Sequence, residues 1–373
     1  MKGIYFVEGV AIEKGHAGDG IERKVLYQIE QLEKISEVKV MSLPNITNSF
    51  DRLLFILPFA VSKREGQRRA LFVEARNASF IYIRKPSLTI DFYKVLKAIK
   101  KDNPSIFIFM ELPTYPFHKE YRGVARAMAL KSAHCEKKLK SVVDKIITYS
   151  DDDEIWGIPT VRLSNSVDFK SIRIRDSKSL IKNTVRFTSV ANFTYWHGMD
   201  RMVEGIANYH GNYNVIFNIV GEGREIPRLK ERVKTLNVEK NVIFHGFQTG
   251  NGLSEIFDNT DIAVDSLGRH RSGVVYNSSL KGKEYAARGI PSISGVKTEF
   301  DYIPEFQYYL RVPADDTPVD IETVITFYEK VYLHSGKSVE SISSDIRNYS
   351  YQLFDYSNGF LPVIEQLKKM MEE

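Results

Sequence analysis

Cysteine is almost missing from this chain of 373 residues. Cys135 stands alone, so no internal disulfide can form, and a lone thiol fits a reducing compartment. Long hydrophobic runs are missing too. The longest, Leu53 to Val61, is about half a membrane-spanning helix and is broken by Pro58, which argues against an integral membrane protein. The opening MKGIYFVEGV turns polar too quickly for a secretory signal. There is no low-complexity tract and no short repeat. A large excess of one charge is missing as well: 52 Lys and Arg against 47 Asp and Glu leave a mild formal +5. These absences predict a cytoplasmic protein.

What is present fits a folded α/β protein. Hydrophobic residues make up 43% and charged residues 27%, and the length is comfortable for two cores rather than one. Short apolar runs at Ile4–Glu8, Ser79–Ile83, Ile106–Met110 and Lys145–Tyr149 read as buried strands of a first half. Thr184–Val190, Asn214–Val220, Val242–Phe244, Ile262–Val264 and Ser292–Ser294 read so in a second. Amphipathic segments between most of them predict parallel sheets. Helices are expected over about 21–34, 226–236, 320–332, 338–347 and 358–371, and a further strand within 300–312. Residues 170–182, charged and turn-rich, read as a linker.

Basic residues concentrate in the first half. A helix expected over 119–145 carries Lys119, Arg122, Arg126 and Lys131 among others, and 62–69 adds Lys63, Arg64, Arg68 and Arg69. Next to Leu53–Val61 these faces could rest on an anionic leaflet, making the protein peripheral on the inner plasma membrane. A solvated basic face explains them equally. No nucleic-acid-binding module accompanies the charge.

The chemistry gathers at 260–293. An apolar strand (Ile262–Val264) runs into a polar loop with Arg269, His270 and Arg271. Ser278, Ser279, Leu280, Lys281 and Glu284 then open a helix that ends at Gly289-Ile290-Pro291. A helix N-terminus beside cations suits a phosphate, and a glutamate one turn in could take ribose hydroxyls. A solvated helix start with a satisfied glutamate is the plain alternative.

The stretch Glu284-Tyr-Ala-Ala-Arg-Gly-Ile-Pro291, with Leu267-Gly-Arg-His-Arg271 and Ser278-Ser-Leu-Lys281 before it, resembles the donor-sugar motif of family 4 retaining glycosyltransferases. The likeness is to their capsule and exopolysaccharide subgroup. Glu111-Leu-Pro-Thr-Tyr-Pro116 is similar to the same subgroup, while Gly221-Glu222-Gly223 and the 242–247 element ending at Phe247 resemble the family pattern more generally. The resemblance implies the GT-B fold. Two Rossmann-like parallel-sheet domains would face a cleft, residues 1–168 for the acceptor and 169–350 for the nucleotide-sugar donor, with a helix in 351–373 crossing back to the first domain.

The resemblance further implies a hexosyl-type, retaining, metal-independent transferase with no cofactor. It would use a nucleotide-sugar donor, UDP-linked by family default, and a glycan or lipid-linked glycan acceptor in cell-surface polysaccharide synthesis. Glu111, Arg271, Lys281 and Glu284 would do the chemistry. The donor would meet Gly18, Gly20, Asn192, His197, Gly198, Gly221, Glu222, Gly223, Phe247, Ser278, Ser279 and Leu280. The sequence departs from the family pattern at three positions. Tyr276 stands where a first glutamate is usual, Ala191 where an arginine is, and His197 where a lysine is. Arg271 and Lys281 are the candidates to restore the lost charge. His197 either donates to a phosphate or packs beside Trp196. His118 reads as a surface residue rather than a sugar contact. A catalytically silent GT-B protein binding nucleotide or glycan is the alternative. A dinucleotide-dependent dehydrogenase is weaker, because no Gly-x-Gly-x-x-Gly with a following acid appears.

Overall fold

The computed structural model describes residues 2–10, 20–43, 64–84, 88–116, 133, 135–176 and 180–372. The run 53–61, Gly18, His118 and the basic residues from 119 to 131 lie outside them. The chain divides into two compact units, one of residues 1–163 and 360–373, the other of 164–359.

Unit 1 carries β1 (Lys2–Glu8), α1 (Gly20–Glu33), β2 (Glu37–Leu43), α2 (Arg64–Ala75), β3 (Phe80–Arg84), α3 (Ile90–Asp102), β4 (Phe107–Leu112), β5 (Lys145–Thr148), β6 (Glu154–Ile155) and β7 (Ile158–Arg162). Its sheet runs β2-β1-β3-β4-β5-β7-β6, parallel except for the short β6–β7 pair. Local chemistry sets its helices. In α3, Thr89 caps the start by accepting from Phe92 N (3.2 Å), Phe92, Leu96 and Ile99 form the buried stripe, and Lys100 and Lys101 close the last turn.

Unit 2 carries β8 (Thr184–Val190), α4 (Met199–Asn208), β9 (Asn214–Val220), α5 (Ile226–Thr235), β10 (Val242–Gly246), α6 (Gly250–Asp258), β11 (Ile262–Val264), α7 (Leu280–Ala287), β12 (Ser292–Ser294), β13 (Tyr309–Arg311), α8 (Ile321–Tyr332), α9 (Val339–Phe354) and α10 (Tyr356–Gly359). Its sheet is wholly parallel in the order β10-β9-β8-β11-β12-β13. The last helix, α11 (Leu361–Glu372), buries Val363, Ile364 and Leu367 against Tyr5, Tyr82 and Tyr149, and so completes the core of unit 1.

Several expectations need correction. The helix over 119–145 does not reach its expected end: a 3-10 turn occupies Leu139–Ser141, and β5 starts at Lys145. Val142, at φ -140°, has left helical geometry, and Leu139, Val142 and Val143 dock into the core as the chain turns into β5. In the cationic 62–69 stretch, Arg68 is buried, pairs with Glu8 (2.9 Å) and donates to Thr89 (2.8 Å), so it offers nothing to a membrane. The supposed linker is built into unit 2. Arg175 is buried there, donating to Ser343 Oγ (2.9 Å), Tyr332 Oη (2.7 Å) and the Thr260 carbonyl. Among the described residues no helix is long and apolar enough to cross a membrane.

Candidate active site

Numbered within unit 2, the strand order is 3-2-1-4-5-6. The sheet's direction of winding therefore reverses between the neighbours β8 and β11, and the crevice beyond their carboxyl ends is where open α/β sheets take ligands. The loops from 191 to 198 and from 265 to 279 leave these two strand ends. They are pressed together: Leu267 N–H donates to the His197 carbonyl (2.7 Å), and Arg201, 1% exposed, reaches the Leu267 and Thr317 carbonyls. Gly198 sits at φ 67°, and a Cβ there would lie 2.5 Å from Gly268 N. Glycine is required at that crossing by backbone proximity alone.

His197 closes a short 3-10 turn (Tyr195–His197) capped by Thr194. Its Nδ1 lies 3.0 Å from the Thr194 backbone nitrogen. A backbone N–H can only donate, so Nδ1 is the acceptor, and the ring's proton sits on Nε2. Burial, with the nearby positive charges of Lys281 and Arg269, pushes the pKa down to about 3, so the ring is neutral. Nε2–H meets no protein acceptor among the described residues. The ring also lies 6.3 Å from Trp196 and 5.9 Å from Phe193, so packing beside Trp196 and an unspent donor coexist.

Lys281, in the first turn of α7, donates to Ser266 Oγ (3.1 Å) and lies 3.3 Å from Asp265 Oδ1. Burial lowers its pKa, and Asp265 opposes that fall. An ammonium has three N–H bonds, and these two partners leave one unspent. Asp265, 2% exposed, is the residue that sequence reasoning missed. Burial would raise its pKa, but Lys281, Ser279 and the Ser266 backbone hold it below the usual range. An acid directly after an apolar strand, next to the loop of cations, was the available signal.

The start of α7 is firmly fixed. Ser279 caps it, accepting from Gly282 N (3.3 Å) and donating to Asp265 Oδ1 (3.0 Å). Ser278 is occupied by Asn165 N–H (2.7 Å) and by Glu299, and Glu299 also takes the buried Lys283. Leu280 is 46% exposed. Glu284 points one oxygen at Arg288 (3.1 Å), its one partner among the described residues, and keeps 38% of its side chain exposed.

The other expected residues divide into two groups. Asn192 is exposed, and Phe247, just beyond β10, is 70% exposed. Arg271, by contrast, is committed to protein: it donates to Asp316 (2.7 Å), Asp200 (2.9 Å) and the Tyr195 carbonyl (3.0 Å). Gly221 and Gly223 are explained by packing. At φ 124° and 136°, a Cβ on either would lie 2.1–2.2 Å from the carbonyl oxygens of Ala191 and Phe193, and Glu222 accepts from Phe193 N–H (2.6 Å). Tyr276 is partly buried, its ring 6.1 Å from that of Tyr302.

Glu111 belongs to unit 1. It is 0% exposed, and Tyr82 (2.8 Å), Tyr149 (3.0 Å) and Arg84 (2.5 Å) fill its carboxylate, with Lys24 at 3.9 Å. This is a core network rather than a ligand contact, which removes the ground for its expected catalytic role. Gly20 opens α1. No group of three or more His, Cys, Asp or Glu that could hold a metal occurs among the described residues.

No curated protein matches the sequence. The solved structures match over the whole length. Sucrose-phosphate synthase from Thermosynechococcus elongatus is 13% identical with a TM-score of 0.64, each chain covered completely. A glycosyltransferase from Rickettsia africae gives the same identity and score over 100% of this chain and 99% of its own. Anabaena HepE in complex with UDP does so over 99% of this chain and all of its own. Residues 171–273, from the approach to β8 through the turn holding Arg271, match the family model for glycosyl transferases group 1. The fold is GT-B, built of Rossmann-like parallel-sheet domains with the last helix returned to the first.

Proposed function

We propose that the protein is a retaining glycosyltransferase that takes a hexosyl group from a nucleoside-diphosphate donor, with its diphosphate site in unit 2. One observation carries this reading: His197 Nε2–H and the third N–H of Lys281 are unspent donors beside the ordered start of α7, at the sheet's switch point. A neutral N–H, an ammonium and free helix amides stabilise charge building on a departing phosphate without a metal. The acceptor hydroxyl would attack on the face the phosphate leaves, handing its proton to that phosphate, which retains the anomeric configuration. Glu284, with an oxygen to spare, suits ribose hydroxyls, and Phe247 suits the base. Arg271 keeps the β8 and β11 loops in register through the Tyr195 carbonyl and Asp200, and ties them to Asp316 in the segment after β13.

UDP is the first nucleotide to try, because HepE was solved with UDP and with UDP-glucose. The lipopolysaccharide galactosyltransferase WaaB, 14% identical with a TM-score of 0.59, motivates a lipid-linked glycan acceptor in surface-polysaccharide synthesis, reached from the cytoplasmic face. The test is UDP release from a panel of UDP-hexoses in EDTA, with the product anomer read by NMR. Turnover in EDTA with retention is expected. Inversion, or turnover only with added metal, would overturn the mechanism.

A second reading has its own support. Tyr276 replaces a carboxylate, Ala191 a cation, and Arg271 is held by two acids. A GT-B protein that binds nucleotide or glycan without catalysis would bind UDP-sugar and leave it intact with every acceptor.

A further inference from the structure

We propose that Asp265 is a positioning residue for donor binding: its buried carboxylate fixes the ammonium of Lys281, keeps it charged, and through Ser279 sets where α7 begins. The inference rests on the diphosphate site proposed above. At first sight an acid here is the wrong charge, since it would repel a phosphate. The geometry resolves the conflict. Asp265 is 2% exposed at the end of β11, and its Oδ1 takes both Ser279 Oγ (3.0 Å) and the Lys281 ammonium (3.3 Å). A Cβ on Gly282 would lie 3.7 Å from Oδ2, so the first turn of α7 lies directly against the second oxygen. One carboxylate thus holds both the cation and the cap of the helix.

The charged and titratable groups facing Lys281 come from three elements. They are Asp265 at the end of β11, Arg269 in the turn that follows, and His197 in the turn after β8. Burial and Arg269 both work against the ammonium, His197 is neutral, and Asp265 alone favours the charge. Without it, a lysine enclosed this way sheds its proton nearer to neutrality. The carboxylate stays behind the ammonium and lets the unspent N–H face outward. The lysine usual at position 197 in similar transferases is then unnecessary.

The test uses the full chain as wild type, Asp265→Asn, and Asp265→Asn with Lys281→Arg. UDP affinity is followed by calorimetry from about pH 7, above the last phosphate pKa of about 6, to about pH 9.5. Thermal unfolding without nucleotide is followed over the same range. Asparagine keeps the shape and an oxygen for Ser279 but removes the charge. For the single variant, either the alkaline loss of UDP affinity moves down by about one pH unit or more, or affinity is already about tenfold lower at pH 7. Arginine does not deprotonate in this range, so the double variant recovers affinity and loses the pH dependence.

Without nucleotide, the unfolded lysine holds a proton that the folded one has shed. The single variant therefore gains stability as pH rises, more steeply than wild type, and the double variant does not. If Asp265→Asn keeps the wild-type profiles, or if its lost affinity is not recovered by Lys281→Arg, the inference fails. If wild type binds no UDP yet the unfolding profiles separate as described, the coupling stands and the transferase reading fails instead.

Discussion

Replacing Lys281 by methionine separates phosphate recognition from everything else the site does. Methionine keeps the apolar stem and deletes the ammonium. Asp265, with a side chain only 3% exposed, then loses the partner 3.3 Å away and keeps Ser279. Breaking a buried ion pair from one side costs about 3–5 kcal/mol. The 22% exposure of Lys281 and the surviving hydrogen bond reduce this to about 2–3 kcal/mol. In a unit of about 200 residues each kcal/mol moves Tm by about 2–4 °C, so a fall of about 4–12 °C is expected.

The binding term is distinct. A lost charge-assisted hydrogen bond of about 1.5–3 kcal/mol weakens UDP about 10- to 150-fold, and uridine, lacking phosphate, should stay within about twofold. Removing both charges, as Lys281→Met with Asp265→Asn, restores much of the stability without restoring UDP affinity. Calorimetry with both ligands, alongside thermal unfolding, reads all of this. Equal losses for UDP and uridine, or UDP binding as in wild type, would refute the phosphate role.

Other consequences are independent of that lysine. Neutral His197 contributes stability that is fully present above its unfolded pKa of about 6.5 and is lost as pH falls toward its folded value of about 3; His197→Gln should flatten unfolding temperature across that window, and an unchanged slope would place the acid sensitivity elsewhere. Gly223→Ala puts a Cβ 2.2 Å from the Phe193 carbonyl oxygen at φ 136° and should cost about 2 kcal/mol or more, read by denaturant unfolding; a change under about 0.5 kcal/mol would contradict the close approach of the two loops. Arg175→Met strips the Thr260 carbonyl, Ser343 and Tyr332 of a shared donor and should destabilise by about 2–4 kcal/mol, whereas a linker residue would change almost nothing.

Much of the architecture was legible because parallel strands buried on both faces leave continuous apolar runs. β8, β9, β11 and β12 begin and end where those runs do. β2 was missed because Glu37-Val-Lys-Val alternates at a sheet edge, a pattern that short surface segments share. β7 was missed because Pro159 interrupts its apolar signal. At the site, Lys281 and Glu284 could be picked out from helix-start chemistry. Two assignments could not be made from spacing. Arg271 reads as a free cation until Asp200 and Asp316, 71 and 45 residues away, are found on it. Glu111 reads as a site acid until Arg84, Tyr82 and Tyr149 close around it. The linker failed for the same reason, since the partners of Arg175 lie 85 to 168 residues off. The glycines of the Gly221-x-Gly223 turn look like a ligand cradle in sequence, but their need is for neighbouring backbone.

The measurement that goes most directly to the central claim is calorimetric titration of the intact wild-type protein with UDP and with uridine, each in EDTA. UDP is expected to bind without metal and at least about tenfold more tightly than uridine, because two protein donors and a helix start await its phosphates. Equal affinities, or UDP binding that disappears in EDTA, would contradict it.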